Sequence, residues 1–325
     1  MKNKNRAKLK SLMQVGMVVS NFKRAIEKYF YKYHISPIKV VEYNSDIIEN
    51  MRIYGKKKNF SMTNGFFDIG NINFEIIKPN SKSIYTDYLS EYGEGIMHHL
   101  KIEVYDYDKA IEYFKKLGVK EILHGESLGE IGKNLWTYLD TREILGFIIE
   151  IVKLDPTFVA RKPNYIMNKK NNTKEDKTIF RGVSKVGIVT KNLLESIKKY
   201  EDLLGLSPWL IEEYNNENLS NMQIYGKNKD YSFKVGYYKL GNVEIALTEA
   251  LDESIFSYFI DKYGEGVICY LGIEVEDYNN ALAFFNSNEI DVIQSGKYLD
   301  KIEYKYLSAS CDLNFIIEIS EKKYF

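Results

Sequence analysis

Histidines and acidic residues set inside apolar runs are the groups of this 325-residue chain whose placement suggests chemistry. The four histidines are His34, His98, His99 and His124. His98 and His99 open a β-like run, where alternation lets only one of two neighbours face a common cavity. Glu75 sits in Asn73-Phe74-Glu75-Ile76-Ile77, and Glu150 in Phe147-Ile148-Ile149-Glu150-Ile151. A carboxylate in such a run is expensive to bury unless it is paired or bound to a cation. Gln14, in Gln14-Val15-Gly16-Met17, occupies the place that His99 takes in His99-Leu100-Lys101-Ile102. A Gln, a His and two carboxylates at matching places make a four-point constellation.

The elements that must position these residues are short and they alternate. Residues 13–19 are apolar and β-branched and read as a strand; 22–33 carry Phe22, Ala25, Ile26 and Tyr29 at helical spacing. Strand-like runs follow at 39–43, 51–55, 65–69 and 72–77. A second round has strand 98–104, helix 107–117 and strands near 120–124, 134–139 and 146–152. Each round is a βαβββ unit. The whole arrangement then recurs. Ile53-Tyr54-Gly55-Lys56 returns as Ile224-Tyr225-Gly226-Lys227, and Tyr92-Gly93-Glu94-Gly95 as Tyr263-Gly264-Glu265-Gly266, both 171 residues on. Phe147–Glu150 returns as Phe315–Glu318, 168 residues on, so one three-residue deletion reconciles the copies. The expected organisation is a first domain over 1–154, a polar linker over 155–180 from which Phe158, Tyr165 and Ile166 could dock, and a second domain over 181–325.

The paired βαβββ units, the YGEG-x-x-HH segment ending at His99, Leu139-Asp140-Thr141 followed by FIIEI, and the IYGKKKNF stretch from Ile53 resemble the vicinal oxygen chelate superfamily. Glyoxalase I, methylmalonyl-CoA epimerase, bleomycin-resistance proteins and extradiol dioxygenases belong to it. The resemblance implies an α+β fold of four βαβββ modules forming two tandem cup-shaped sheets. It also implies one divalent metal ion, Ni, Co, Zn, Mn or Mg, on Gln14, Glu75, His99 and Glu150. The activity implied is that of an isomerase, epimerase or lyase moving a proton beside a carbonyl through a metal-bound enediolate or enolate, with Glu150 and then Glu75 as the proton-transfer residues. Epimerase-like chemistry leads; a glyoxalase I-like lyase acting on a thiohemiacetal and a non-catalytic binding or resistance protein are the alternatives. A dioxygenase fits less well, since those relatives use two His and one Glu. The further acid that assists in the epimerase has no match here, Glu49 being the nearest residue.

The second copy is an internal control. Gln14 corresponds to Lys185, Glu75 to Ala246 and His99 to Tyr270; Glu318 alone persists. An ammonium repels a metal and Ala cannot ligate one, so the metal site is expected in the first domain only. Lys101, Trp136 and Tyr138 are the expected substrate contacts, while the YGEG glycines, shared by both copies, read as a turn. His34 and His124 are expected at the surface, Cys269 and Cys311 as inert core thiols.

Composition sets the outer bounds. Lys and Arg total 45 and so do Asp and Glu, which leaves no basic excess for nucleic acid. Two cysteines cannot form a disulfide framework or a zinc cluster. No run suits a membrane span, and the basic start has no apolar core of a signal peptide, so a cytoplasmic location is expected. The expected partners are a small-molecule substrate, the other half of the chain as a pseudo-dimer mate, and a second copy in a homodimer.

Overall fold

Alternation along the strands separates a helix-covered face from a hollow one, and this sorting builds each half of the molecule. In the computed structural model, residues 6–94, 96–169, 178–309 and 315–321 are described. They form two compact units, 6–68 with 72–94 and 98–169, and 178–309 with 315–321 and the short pieces 69–71 and 96–97.

The strands of the first unit are β1 (Leu9–Val18), β2 (Ile38–Tyr43), β3 (Ile48–Ile53), β4 (Lys56–Lys57), β5 (Met62–Ile69), β6 (Ile72–Pro79), β7 (His99–Val104), β8 (Lys120–Leu128), β9 (Lys133–Asp140), β10 (Ile148–Lys153) and β11 (Tyr165–Met167). They make one curled sheet in the order β11-β2-β5-β6-β1-β7-β10-β9-β8-β3-β4. Two modules meet where β1 pairs antiparallel with β7; within them β1 runs parallel to β6, and β7 to β10. The second unit repeats this with β12 (Phe180–Thr190), β13 (Leu210–Tyr214), β14 (Leu219–Ile224), β15 (Lys227–Asn228), β16 (Phe233–Leu240), β17 (Val243–Ala250), β18 (Ile268–Val275), β19 (Val292–Tyr298), β20 (Ile302–Leu307) and β21 (Ile316–Ser320). Their order is β13-β16-β17-β12-β18-β21-β20-β19-β14-β15. The α+β fold expected of tandem βαβββ modules is the fold observed.

The helices explain the burial of β1. Helix α1 (Phe22–Glu27) begins at Asn21, whose side chain accepts the Arg24 N–H, and it packs against β6, the strand beside β1. The helix expected over 22–33 widens after Glu27 into a π-turn, Lys28–Lys32, closed by the Tyr33 N–H bonding Lys28 O. Helix α2 (Ile84–Tyr92), not anticipated from the sequence, places Tyr85 and Tyr88 against His98. Helix α3 (Tyr107–Lys116) and the single turn α4 (Arg142–Leu145) complete the unit; α5 (Leu193–Leu204), α6 (Ile255–Tyr263) and α7 (Tyr278–Ser287) serve the second. No helix among the described residues is long and apolar enough to cross a membrane.

Several local expectations need correction. The run 51–55 is not one strand: β3 ends at Ile53, and Tyr54 and Gly55, both with positive φ, turn the chain into β4. The recurring IYGK is therefore a tight hairpin turn, and it recurs because Tyr225 and Gly226 do the same. The stretch 155–169 belongs to the first unit, where β11 pairs with β2 and Val159 bridges Ile131. His124 is buried, its Nδ1 2.8 Å from Thr137 Oγ1, because residues 122–126 of β8 are covered on both faces. Burial holds its imidazole below the usual histidine range. Cys269 is buried and burial pushes its thiol up, so it is no thiolate; Cys311 and Gly95 lie outside the described residues.

Candidate metal centre

Two adjacent rungs of the first sheet assemble the candidate site. On one, Glu75 and His99 both pair with Gly16; on the next, Asn73 and Lys101 both pair with Gln14, and Lys101 pairs with Glu150. Gln14, Gly16, Glu75, His99, Lys101 and Glu150 therefore share the hollow face. Gly16 is required by close approach: a Cβ there would lie 1.8 Å from His99 Cε1. The imidazole rests on this glycine and projects between two carboxylates.

His99 Nε2 is 3.2 Å from Glu150 Oε2 and 3.6 Å from Glu75 Oε2. His99 is fully buried, with Glu150 2 % and Glu75 6 % exposed. Among the described residues, these three form the one cluster of His, Cys, Asp and Glu able to hold a metal, with ligand atoms within 4.8 Å of one another. The other carboxylate oxygens are engaged. Glu75 Oε1 accepts from Asn64 Nδ2 at 2.5 Å, and Glu150 Oε1 takes the Lys101 ammonium at 2.9 Å. Glu75 Oε2 and Glu150 Oε2 have no hydrogen-bond partner. Two buried, unpartnered carboxylate oxygens converging on one imidazole nitrogen are what a divalent cation would satisfy, so the residues fit a metal.

The electrostatics separate the two carboxylates. Burial pushes the Glu75 carboxyl above its usual range, against the opposing pull of Lys101 and His99. Burial raises Glu150 too, but Lys101 and His99 outweigh it and hold that carboxyl below the usual range. Burial depresses the Lys101 ammonium, yet Glu150 and Glu75 carry it above the ordinary lysine value.

The remaining singled-out residues fall as follows. Gln14 is buried on the site face but its amide is engaged elsewhere, Nε2 donating to Asn73 Oδ1 at 2.6 Å and Oε1 accepting from Lys101 at 3.3 Å. Trp136 and Tyr138 are buried on β9, and both line a cavity of about 180 Å³ that also touches Glu75, Lys101 and Glu150. Tyr43, Phe66 and Phe158 add aromatic wall, so the stretch expected to be linker contributes to the cavity. Glu49 is exposed beside Lys133 at 3.8 Å and takes no part. His98 precedes β7, so strict alternation does not apply to it; its Nδ1 lies 3.0 Å from His99 Nδ1. Burial holds His98 well below the histidine range, so it stays a neutral imidazole able to fix its neighbour's ring. The Leu139-Asp140-Thr141 motif is structural: Thr141 donates to Phe147 O at 2.6 Å and Asp140 binds Arg142 Nε at 2.8 Å, fixing the turn into β10.

Asn64 and the contact of His98 with the His99 ring escaped sequence reasoning, although the duplication marks both positions. They correspond to Val235 and Cys269 in the second copy, losses that accompany those of Glu75 and His99. In that copy Tyr270 lies on Gly187 as His99 lies on Gly16, with a Cβ there 2.0 Å from Tyr270 Cε1. Lys185 reaches within 3.1 Å of both Glu318 carboxylate oxygens.

Comparison with known proteins agrees with this architecture. Residues 184–304, within the second unit, match the model of the family described as the Glyoxalase/Bleomycin resistance protein/Dioxygenase superfamily. No curated protein sequence matches the chain. Among solved structures, a mutant 4-hydroxymandelate synthase from Streptomyces coelicolor is similar with a TM-score of 0.56 at 9% identity, over 96% of this chain and 92% of that one. A xylose isomerase-like TIM barrel/4-hydroxyphenylpyruvate dioxygenase fusion protein is similar with a TM-score of 0.52 at 10% identity; 97% of this chain is covered but 49% of that one. At these identities the likeness establishes the shared fold.

Proposed function

We propose that the first unit is the active centre of a divalent-metal-dependent enzyme that moves a proton beside a carbonyl group, as an isomerase, epimerase or lyase does. The observation that carries this reading is the pair of unpartnered oxygens, Glu75 Oε2 and Glu150 Oε2, converging on His99 Nε2. A divalent ion held by Glu75, His99 and Glu150 supplies positive charge that lowers the cost of negative charge developing on a substrate oxygen. Glu150 and then Glu75, whose carboxylate oxygens flank His99 Nε2, are the groups placed to take and return the proton. Trp136, Tyr138 and Phe158 form the apolar wall that keeps water from the reacting carbon.

Metal analysis of protein purified and reloaded with Mg, Mn, Co, Ni or Zn tests the first step. Stoichiometric uptake by the wild type and its loss in His99→Ala are expected; undiminished uptake by the variant would overturn the reading. Assays of thioester epimerisation beside hemithioacetal isomerisation then separate the two chemistries, and a stoichiometric complex without product points to a binding protein instead.

A further inference from the structure

Lys101 brings a positive charge to the cup that metal binding does not require, and its placement defines the charge of what the cup accepts. Its side chain is 20% exposed, it lines the 180 Å³ cavity, and its ammonium bonds Glu150 Oε1 while Oε2 of the same carboxylate stays turned toward His99. The ammonium and a metal therefore use different oxygens of Glu150 and do not exclude one another. Glu75 and Glu150 bring two negative charges and Lys101 one positive, so the metal-free cup is an anion with no use for another. With a divalent ion present the balance reverses to one net positive charge, walled by Tyr43, Phe66, Trp136, Tyr138 and Phe158. One negative charge on the ligand closes the balance, which a low-dielectric cavity strongly favours.

Size narrows the ligand further. The cavity, at about 180 Å³, is below the roughly 300 Å³ at which pockets for drug-sized ligands begin. We propose that the cup is a receptor for a small organic monocarboxylate, its carboxylate held by Lys101 and its apolar remainder against the Trp136 wall. This rests on the metal-centre reading and adds to it the charge and size of the substrate's reacting portion, so a neutral hemithioacetal is disfavoured.

Benzoate and benzamide, alike in shape and unlike in charge, are the probes. Titration of zinc-loaded and metal-free protein, followed by calorimetry and tryptophan fluorescence, reads the cavity because Trp136 lines it and the sequence has one other Trp, Trp209. In zinc-loaded protein benzoate is expected to bind at least about tenfold tighter than benzamide, the effect of one charge-assisted hydrogen bond. Without metal the preference vanishes, and by reciprocity benzoate raises zinc affinity by the factor by which zinc raises benzoate affinity. Lys101→Met, its fold checked by thermal melting, keeps zinc and loses the preference, while Lys101→Arg retains it. Equal binding of the probes by zinc-loaded wild type, or a preference surviving in Lys101→Met, overturns the proposal while leaving the metal centre intact. Failure to take up zinc overturns both.

Discussion

At the scale of single residues, the site is a contest between burial and pairing that its two glutamates resolve oppositely. Burial holds the folded-state pKa of Glu75 above the ordinary carboxyl value of about 4.3. Its protonated form thus adds stability that is present below that value and is lost as pH rises through the raised one. Glu150 is the reverse: its lowered value adds stability above about pH 4.3 that is lost as pH falls through it. In chelator-treated protein at pH 7, Glu75→Gln is therefore expected to raise the melting temperature and Glu150→Gln to lower it. The size is on the order of 2–4 °C per kcal/mol, and the gain from Glu75→Gln shrinks as the melts are repeated toward pH 4. Both variants lose metal. A Glu75→Gln protein that melts lower than wild type at pH 7 would contradict the burial argument. Asn64 supports the carboxylate without touching the ion, since its Nδ2 bonds Glu75 Oε1. Asn64→Leu should keep the fold, as Val235 does in the second copy, and weaken metal binding by roughly 10–100-fold in a competition titration.

At the scale of elements, ligand geometry is set by which strand leaves room for a ring. Gly16 and Gly187 hold the same place in β1 and β12, and each lies beneath an aromatic ring, His99 in one copy and Tyr270 in the other. Adding a methyl at either position forces the ring off its strand, at a cost of about 1–3 kcal/mol or more. Gly16→Ala and Gly187→Ala are expected to lower the melting transition alike, but only Gly16→Ala should abolish metal uptake. Equal loss in both would show that the metal is held elsewhere. The same elements show what sequence could and could not reveal. The strands carrying Gln14, Glu75, His99 and Glu150 were legible because each sets a polar residue among apolar ones at a place repeated between the two modules. Helix α2 was not, because Ile84, Tyr85 and Tyr88 lie among polar residues in a nine-residue segment whose start is closed locally by the Ser83 N–H donating to Thr86 Oγ1. The β3–β4 turn was absorbed into a strand because Tyr54 is a strong β former whose positive φ depends on its neighbour Gly55. Asn64 and the reach of Lys101 to Glu150 depend on cross-strand register, which composition and periodicity do not specify.

At the scale of the whole molecule, duplication lets one sheet solve a single problem twice. A glutamate on the last strand of each copy, Glu150 or Glu318, is buried and needs a cation. Each copy supplies a lysine, but from different strands: Lys101 on β7 in the first, Lys185 on β12 in the second. The exchange is steric as well as electrostatic, because Lys185 faces Gly272, where a Cβ would come within 2.8 Å of its own Cβ. In the first copy the two facing positions hold Gln14 and Lys101 instead. The second cup has also traded Asn64, Glu75, His98 and His99 for Val235, Ala246, Cys269 and Tyr270, which removes the metal-ligating set of the first. Lys185 pairs with Glu318 and also stands in register with Glu244, with Tyr237 under the ammonium at 5.4 Å. Two consequences follow from that pairing. Metal should bind at one equivalent per chain, counted by elemental analysis. Lys185→Met should leave that equivalent in place while destabilising the protein by about 3–5 kcal/mol, since it strands a buried carboxylate. Adding Glu318→Gln to Lys185→Met should recover much of the loss, and the double-mutant cycle measures the coupling. A second equivalent of metal in wild type, or loss of the first in Lys185→Met, would mean that the second cup retains a cation site of its own.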